Sequence, residues 1–329
     1  MYSAITGWGM AVPTRILTNA DLERMVDTSD EWIVSRSGIR ERHIAGPDDT
    51  ASSLGIIAAR QALERAHLTA ADLDMIIVAT VTGDYTFPAT ACLVEDALGA
   101  HCPAFDIQAA CTGWIYGVVM AHQFVSTGAA KHVLVIGVEV LSKITDYTDR
   151  GTCVLFGDGA GAAIVEGSET PGGVLGWTLG ADGARPEQLY RPAGGSRQPI
   201  TAENLLTSDP YIHMMGSEVF KFATRTMGTA MEEALAKANL TAQDIDLFIP
   251  HQANLRIIEA ASKRLDLPAE KVFVNIERYG NTSAAAVPIA MCEAIEQGRI
   301  KPGSRLGMVA FGAGLTWGAL ALQWTAETI

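Results

Sequence analysis

An α/β fold made of two pseudo-duplicated halves is what the sequence predicts, and three observations predict it. The stretch Ala62 to Thr80 (ALERAHLTAADLDMIIVAT) aligns without gaps on Ala234 to Gln252 (ALAKANLTAQDIDLFIPHQ), with nine identities in nineteen positions. Each copy reads as the end of an amphipathic helix, a turn at Leu-Thr-Ala, and a buried strand, Met75 to Ala79 or Leu247 to Pro250. A second echo pairs FGDGAGAAIV from Phe156 with FGAGLTWGAL from Phe311, both glycine-rich turns between core strands. Strand-like and helix-like segments also alternate in each half, which predicts largely parallel, buried strands. The break falls near Glu169-Thr170-Pro171-Gly172-Gly173, giving halves of 1–170 and 171–329. Two such halves pack about a shared axis, and reactive residues are expected where strand ends of both meet.

The composition narrows the function. Of 329 residues, 48% are hydrophobic and 19% charged, enough for a full core, and no low-complexity tract suggests disorder. A formal charge of −13 without long like-charge blocks argues against nucleic acid, and an acidic partner then needs a local basic patch. The five cysteines, at 92, 102, 111, 153 and 292, show no C-x-x-C spacing and no secretory signal ahead of them. Reduced thiols in a cytoplasmic protein are expected. Two uncharged runs, Ile107 to Ala130 and Leu306 to Leu322, are broken by glycines, and the first carries His122 and Gln123. They read as buried core, with no membrane span.

Along the first half, residues 2–10 form a strand, and Asn19-Ala-Asp-Leu-Glu starts a helix with Asn19 as its cap. In the segment from Asp30 to Arg40, Trp32 and Arg36 stand four apart and share a helix face, as a cation–π pair or as a plate and guanidinium for a nucleotide. The apolar run Phe105-Asp106-Ile107-Gln108-Ala109-Ala110 stops at Cys111, which opens a helix with no charge up to Ala130. A helix start buried in this way lowers a thiol's pKa through its free N–H groups and dipole, which makes Cys111 a candidate nucleophile; a packed core cysteine is the alternative.

In the second half, the duplicated strand runs out at Phe248-Ile249-Pro250-His251-Gln252-Ala253-Asn254, placing His251 at a strand end. Glu277 to Ala284 reads as a polar turn between a strand, Val272 to Ile276, and a helix starting near Ala284, with Asn281 on the turn. Singly, His251 is an ordinary turn residue, and Asn281 or Ser283 an ordinary helix cap. Together with Cys111 they supply a nucleophile, a base or donor, and a neutral donor, all at loop ends. An Asn partner, in place of the Asp of acyl hydrolysis, offers an N–H to a developing oxyanion. Two donors on one carbonyl suit an enolate, such as decarboxylation of a malonyl thioester produces.

The stretches Ala109-Ala-Cys111-Thr-Gly-Trp, Pro250-His251-Gln-Ala-Asn-Leu-Arg and Tyr279-Gly-Asn281-Thr-Ser closely resemble the β-ketoacyl-acyl carrier protein synthase III family of thiolase-fold condensing enzymes. The likeness runs end to end, through Trp32-Ile-Val-Ser-Arg36, Arg150-Gly-Thr, Pro192-Ala-Gly-Gly-Ser-Arg and Phe311-Gly-Ala-Gly-Leu-Thr-Trp-Gly. It implies a thiolase-like fold of two α/β halves, with buried mixed sheets packed in layers with helices. It also implies a ping-pong condensation that starts fatty acid biosynthesis, with no cofactor beyond the coenzyme A thioester substrate. Cys111 would carry the acyl group, His251 and Asn281 would stabilise the malonyl enolate, and the backbone N–H groups of Cys111 and Ala313 would hold the thioester oxyanion.

The same correspondence puts coenzyme A against Trp32, Arg36, Arg150, Phe220, Ala253 and Asn254. Arg256, Lys263 and Arg264 recur at i, i+7 and i+8, and with Lys221 they form a basic patch for malonyl-acyl carrier protein. A homodimer follows by similarity, with Phe87 of the segment Asp84 to Pro88 entering the partner's acyl pocket. Thr112, Trp114 and Ala313 depart from the usual Ala, Phe and Gly; the first two are expected to shape the acyl pocket or fill core. Related readings are a condensing enzyme or acyltransferase of polyketide or secondary metabolism, and a Cys-His-Asn thioester hydrolase.

Overall fold

The protein, a computed structural model, is described over residues 2–327. Its first half begins with strand β1 (Tyr2–Ala11), then β2 (Arg15–Thr18), the short helices α1 (Asn19–Leu22) and α2 (Asp30–Ser37), and β3 (Glu41–Ile44). There follow α3 (Ala51–Arg65), β4 (Met75–Ala79), α4 (Thr90–Leu98), β5 (Ala104–Ile107), α5 (Gly113–Ser126), β6 (His132–Val140), α6 (Arg150–Cys153) and β7 (Asp158–Ser168). The second half has β8 (Gly173–Ala181), the short pair β9 (Leu189–Tyr190) and β10 (His213–Met214), α7 (Gly216–Lys237), β11 (Leu247–Pro250), α8 (Leu255–Arg264), α9 (Ile276–Tyr279), α10 (Ala286–Glu296), β12 (Arg305–Gly312) and β13 (Thr316–Gln323).

The two sheets share one plan. The first runs β1-β7-β6-β4-β5 and the second β8-β13-β12-β11, with Val272 adding a single parallel bridge to Phe248 where β5 stands in the first. Strand alternation divides each sheet's side chains between two covers. Ile77, Val133 and Val135 face inward onto α5, whereas Ile76, Val78, Leu134 and Ile136 face outward onto α3 and α4. In the second sheet Leu247, Ile249, Leu306 and Met308 face the same central core, and Phe248, Val309 and Phe311 face α7 and α8. Helices α5 and α10 therefore form a middle layer between two sheets, and both uncharged runs lie inside. No helix among the described residues is long and apolar enough to cross a membrane.

The duplication extends to backbone detail. His67 and Asn239, equivalent in the repeat, both take φ 55°, and the following Thr69–Asp72 and Thr241–Asp244 make the same reciprocal capping box.

Three expectations change. The strands are mixed, because β7 runs antiparallel to β6 and β1, and β13 antiparallel to β12 and β8. The three residues between β12 and β13 are too few for a parallel crossover. Thr18, not Asn19, caps α1, exchanging hydrogen bonds with Asp21, while Asn19 is buried and bonds Arg42 and Asp30. The strand expected over Val272 to Ile276 is absent: the Gln252 side chain donates to Pro250 and Phe273 and accepts from Asn275 N–H, so it takes up the backbone groups a ladder would use.

Candidate active site

Cys111 sits in a tight turn, Ala110–Thr112, which leads from β5 into α5. Ala110 holds φ 47°, a left-handed conformation that turns the chain sharply into the helix. The hydroxyls of Thr112 and Thr316 are 2.8 Å apart and tie the carbonyls of Ala109 and Ala313 together, buckling the first half to the second. Gly312 is required by close approach: a Cβ there would lie 2.7 Å from the Cys111 nitrogen. Ala313 keeps an ordinary backbone conformation, and the left-handed φ of this turn, 138°, belongs to Gly314. Cys111 and Ala313 share the wall of a cavity of about 160 Å³ with Ser283, Phe156, Leu189 and Ile212.

The thiol's environment overturns one expectation. Cys111 is half-buried and enclosed by protein, and that enclosure pushes its thiol up to about 12. Hydrogen bonds from the Ser283 hydroxyl and its own backbone N–H pull the other way, and the charge of Glu139 adds to the rise. The resting side chain is a thiol.

His251 follows β11 and donates its backbone N–H to Val309 of β12. Its ring packs edge-on against Phe311, 5.6 Å between centroids, and is wholly buried with neither ring nitrogen hydrogen-bonded. Burial pulls its pKa down to about 3, so the imidazole is neutral and offers one N–H and one lone pair. Asn281 is fixed by a two-way backbone bridge, its N–H to Leu155 and its carbonyl from Gly157. Its side-chain oxygen accepts from Ser283 N–H at 2.9 Å, which leaves the NH₂ as what the side chain can offer. The Glu293 carboxylate holds the loop before it, bonding Asn275, Arg278 and Tyr279. A neutral imidazole and a carboxamide NH₂ are suited to stabilising an oxyanion.

A cationic, aromatic cluster assembles elsewhere on the surface. The guanidinium carbon of Arg150 stands 4.9 Å from the Trp32 ring centroid and that of Arg36 stands 5.9 Å from it. Asn254 caps α8 and donates to the Arg36 carbonyl, so the start of α8 joins this cluster; Ala253 beside it is buried. Arg256 lies 5.3 Å over Phe220. Of the basic patch, Lys221 is paired with Glu218 and Arg264 with Glu232, leaving Arg256 and Lys263 as the cations without an ion-pair partner among the described residues.

Of the two readings open for Thr112 and Trp114, core filling fits their burial: Trp114 is 1% exposed and packed in the central core, and Thr112, in the turn before α5, is fully buried in the buckle with Thr316; neither is on the wall of the Cys111 cavity. Phe87 is 85% exposed and lines a neighbouring, larger cavity with Tyr85 and Phe105. His251 and Asn281 are not on the wall of the Cys111 cavity either. Sequence reasoning missed Glu139 and the part Ser283 plays beside the thiol. A lone carboxylate in the otherwise apolar strand HVLVIGVEV was the available signal. No group of three His, Cys, Asp or Glu among the described residues is placed to hold a metal ion.

Comparison with known proteins gives a consistent result. Residues 105–183 match the family model described as 3-oxoacyl-[acyl-carrier-protein (ACP)] synthase III, and residues 235–324 match the model of its C-terminal region. The chain is 57% identical to the β-ketoacyl-[acyl-carrier-protein] synthase III of Symbiobacterium thermophilum, over 97% of each chain. It is 52% identical to that of a Roseiflexus species, over 99% of each. Among solved structures, the 3-oxoacyl-[acyl-carrier-protein] synthase III of Aquifex aeolicus superposes with a TM-score of 0.92 at 47% identity, covering 98% of this chain and 100% of that one. A priming β-ketosynthase from a polyketide pathway also superposes with a TM-score of 0.92, at 35% identity over 100% of this chain and 97% of that one.

Proposed function

This chain belongs to the 3-oxoacyl-[acyl-carrier-protein] synthase III family, also called β-ketoacyl synthase III, and from that premise we propose that it joins an acyl-CoA primer to malonyl-acyl carrier protein, starting fatty acid synthesis in the cytoplasm. It is an acyltransferase and needs no cofactor. Cys111 takes the acyl group from coenzyme A, with the backbone N–H groups of Cys111 and Ala313 facing the oxyanion of that transfer. Malonyl-acyl carrier protein then loses carbon dioxide, and the enolate attacks the acyl-cysteine.

The observation that carries this reading is the pair of neutral donors in the second half. His251 is buried, uncharged and unpartnered, and Asn281 has its oxygen already engaged, so each has an N–H for one enolate oxygen. The halves 1–170 and 171–329 thus divide the work, the first carrying the nucleophile and the second the donors. The cluster of Trp32, Arg36 and Arg150, with Phe220, Ala253 and Asn254, receives coenzyme A. Arg256 and Lys263, with the paired Lys221 and Arg264, face the acidic carrier. The exposed Phe87 and Tyr85 belong against a second copy, whose acyl pocket Phe87 completes in a homodimer.

Incubation with acyl-CoA alone tests this: a mass increase equal to the acyl group appears on the Cys111 peptide, and malonyl-acyl carrier protein discharges it to a β-ketoacyl product. A chain that never carries the acyl group contradicts the mechanism. A panel of primers, with malonyl-CoA beside malonyl-acyl carrier protein as donor, separates this role from that of a polyketide priming enzyme.

A further inference from the structure

Loading Cys111 from a thioester requires its thiol proton to go somewhere, and His251 and Asn281 are assigned to the second substrate. With the thiol pushed up to about 12, spontaneous ionisation near neutral pH is rare. Strand β6 ends beside the cysteine in a group able to take that proton. Glu139 is fully buried, has no cationic partner among the described residues, and accepts hydrogen bonds from Val81 N–H at 3.2 Å, Thr80 Oγ1 at 3.3 Å and Thr82 Oγ1 at 2.5 Å. Its other contact is the Ser283 hydroxyl, which donates to Oε1 at 3.2 Å. Ser283 holds φ 50° and lines the same cavity wall as Cys111. One hydroxyl thus stands between thiol and carboxylate.

We propose that Glu139, acting through Ser283, accepts the Cys111 proton during acyl loading and holds it until the thiol is regenerated. This rests on the acyl-cysteine chemistry proposed above. The thiol proton passes to Ser283 Oγ as the Ser283 proton passes to Glu139. The sulfur forms its bond to the acyl carbon, the bond to coenzyme A sulfur breaks, and the departing thiolate takes a proton from solvent. After condensation expels the Cys111 thiolate, Glu139 returns its proton along the same path. The one negative charge of the resting site sits on the carboxylate, passes to the sulfur as the acyl bond forms, and leaves with the coenzyme A thiolate, so the buried site never holds two. Ser283 hands the proton on from its place on the Cys111 cavity wall, and Glu139 acts through it as a positioning residue.

Burial pushes Glu139 up to about 7, which places it where a proton is taken and given back at working pH. The titratable groups on the elements around it are few. Cys111 faces it from the turn before α5, and Asp158 of β7, paired with Val140, is engaged by Ala45 and Ser142. On α5 they are Tyr116, which donates to the Gly180 carbonyl, and His122, bonded to Ser3. On α10 they are Cys292, Glu293, which is bonded to Arg278, and Glu296, which is paired with Arg65; β4 has none.

The pH profile of loading on the unaltered protein tests the proposal. In single-turnover assays with acyl-CoA, the loading rate rises with pH up to about 7, where the carboxylate of Glu139 becomes free to take the proton, and levels off above it. A rate that keeps climbing about tenfold per pH unit through the alkaline range means that the thiol ionises to solvent without Glu139, and overturns the proposal. Glu139→Gln slows loading about a hundredfold near neutrality, and its rate keeps climbing through the alkaline range. Ser283→Ala gives the same profile, and Glu139→Asp restores part of the rate; a folded Glu139→Gln protein with unchanged profile overturns the proposal. Should that variant fail to fold, the profile of the unaltered protein decides alone. If no acyl-enzyme forms at all, the underlying acyl-cysteine chemistry falls too, so the two failures are told apart.

Discussion

The turns that begin the two central helices share one backbone and differ in what surrounds them. Before α5, Ala110 takes φ 47° and opens a three-residue turn; before α10, Ser283 takes φ 50° and does the same. Position for position, Cys111 of the first turn corresponds to Ala284 of the second. A left-handed non-glycine residue costs about 1 kcal/mol or more, and both halves carry it at the same place. The strained conformation therefore belongs to the duplicated fold and not to the chemistry. Ala284 is 1% exposed, and its carbonyl fills the space over Gly137, where a Cβ would come within 2.3 Å of it. Cys111 instead opens on a cavity, with Gly312 and Ala313 of the other half against it. The fold supplies a rigid helix start twice, and the neighbours leave only one of them open to a cavity.

The sharpest way to break this comparison is to move the thiol. Cys111→Ala lowers condensation by on the order of 10⁴-fold and leaves no acyl-enzyme by mass spectrometry. Adding Ala284→Cys in the matching position does not restore loading; acyl transfer to the thiol introduced there would show the turns to be interchangeable. Next in size are His251→Ala and Asn281→Ala, each lowering malonyl decarboxylation by about 10²–10³-fold while Cys111 still loads. Loss of loading in both would erase the division between halves.

The equivalent glycines 157 and 312 sharpen the comparison further. A Cβ on Gly312 would press on the Cys111 nitrogen at 2.7 Å, and one on Gly157 on the Tyr279 carbonyl at 2.3 Å. Each substitution to Ala costs about 1–3 kcal/mol in denaturant unfolding. Gly312→Ala also slows loading in single-turnover assays, and Gly157→Ala, which displaces the Asn281 bridge, slows decarboxylation more than loading.

The smallest effect is in stability against pH. His251 has its folded pKa lowered to about 3 against an ordinary 6.5, so below 6.5 the unfolded chain binds the extra proton. Stability falls by roughly 1.4 kcal/mol per pH unit from this group as pH drops below about 6.5. Glu139, raised to about 7 from 4.5, works in the opposite direction between those values, being protonated first in the fold. Thermal melts of His251→Gln should therefore lose part of the acid-side decline, and those of Glu139→Gln should steepen it. A variant whose melting profile matches that of the unaltered protein would contradict the burial argument for that residue.

The repeat Ala62–Thr80 with Ala234–Gln252 was legible because apolar periodicity and turn residues are local, and the uncharged runs showed what must be buried. Cys111, His251 and Asn281 stood out because reactive side chains at strand ends are visible in order along the chain. For Thr112 and Trp114 the choice between acyl pocket and core stayed open in the sequence, because nearness to Cys111 along the chain does not say which way a side chain is turned. Alternation of elements pointed to largely parallel strands because it does not reveal where a hairpin reverses, and the mixed sheets that the family resemblance implied are the ones found.

By itself, the sequence pointed to an α/β fold with an internal repeat, and it singled out a cysteine at a buried helix start with a histidine and an asparagine at loop ends of the second half. Only the tertiary structure decided the state of those groups. The thiol is raised rather than lowered, the imidazole is neutral, and a carboxylate 28 residues beyond Cys111 accepts a hydrogen bond from Ser283, on the wall of the Cys111 cavity. Protonation follows from burial and from neighbours brought together by packing, and neither is written in the order of residues along one strand.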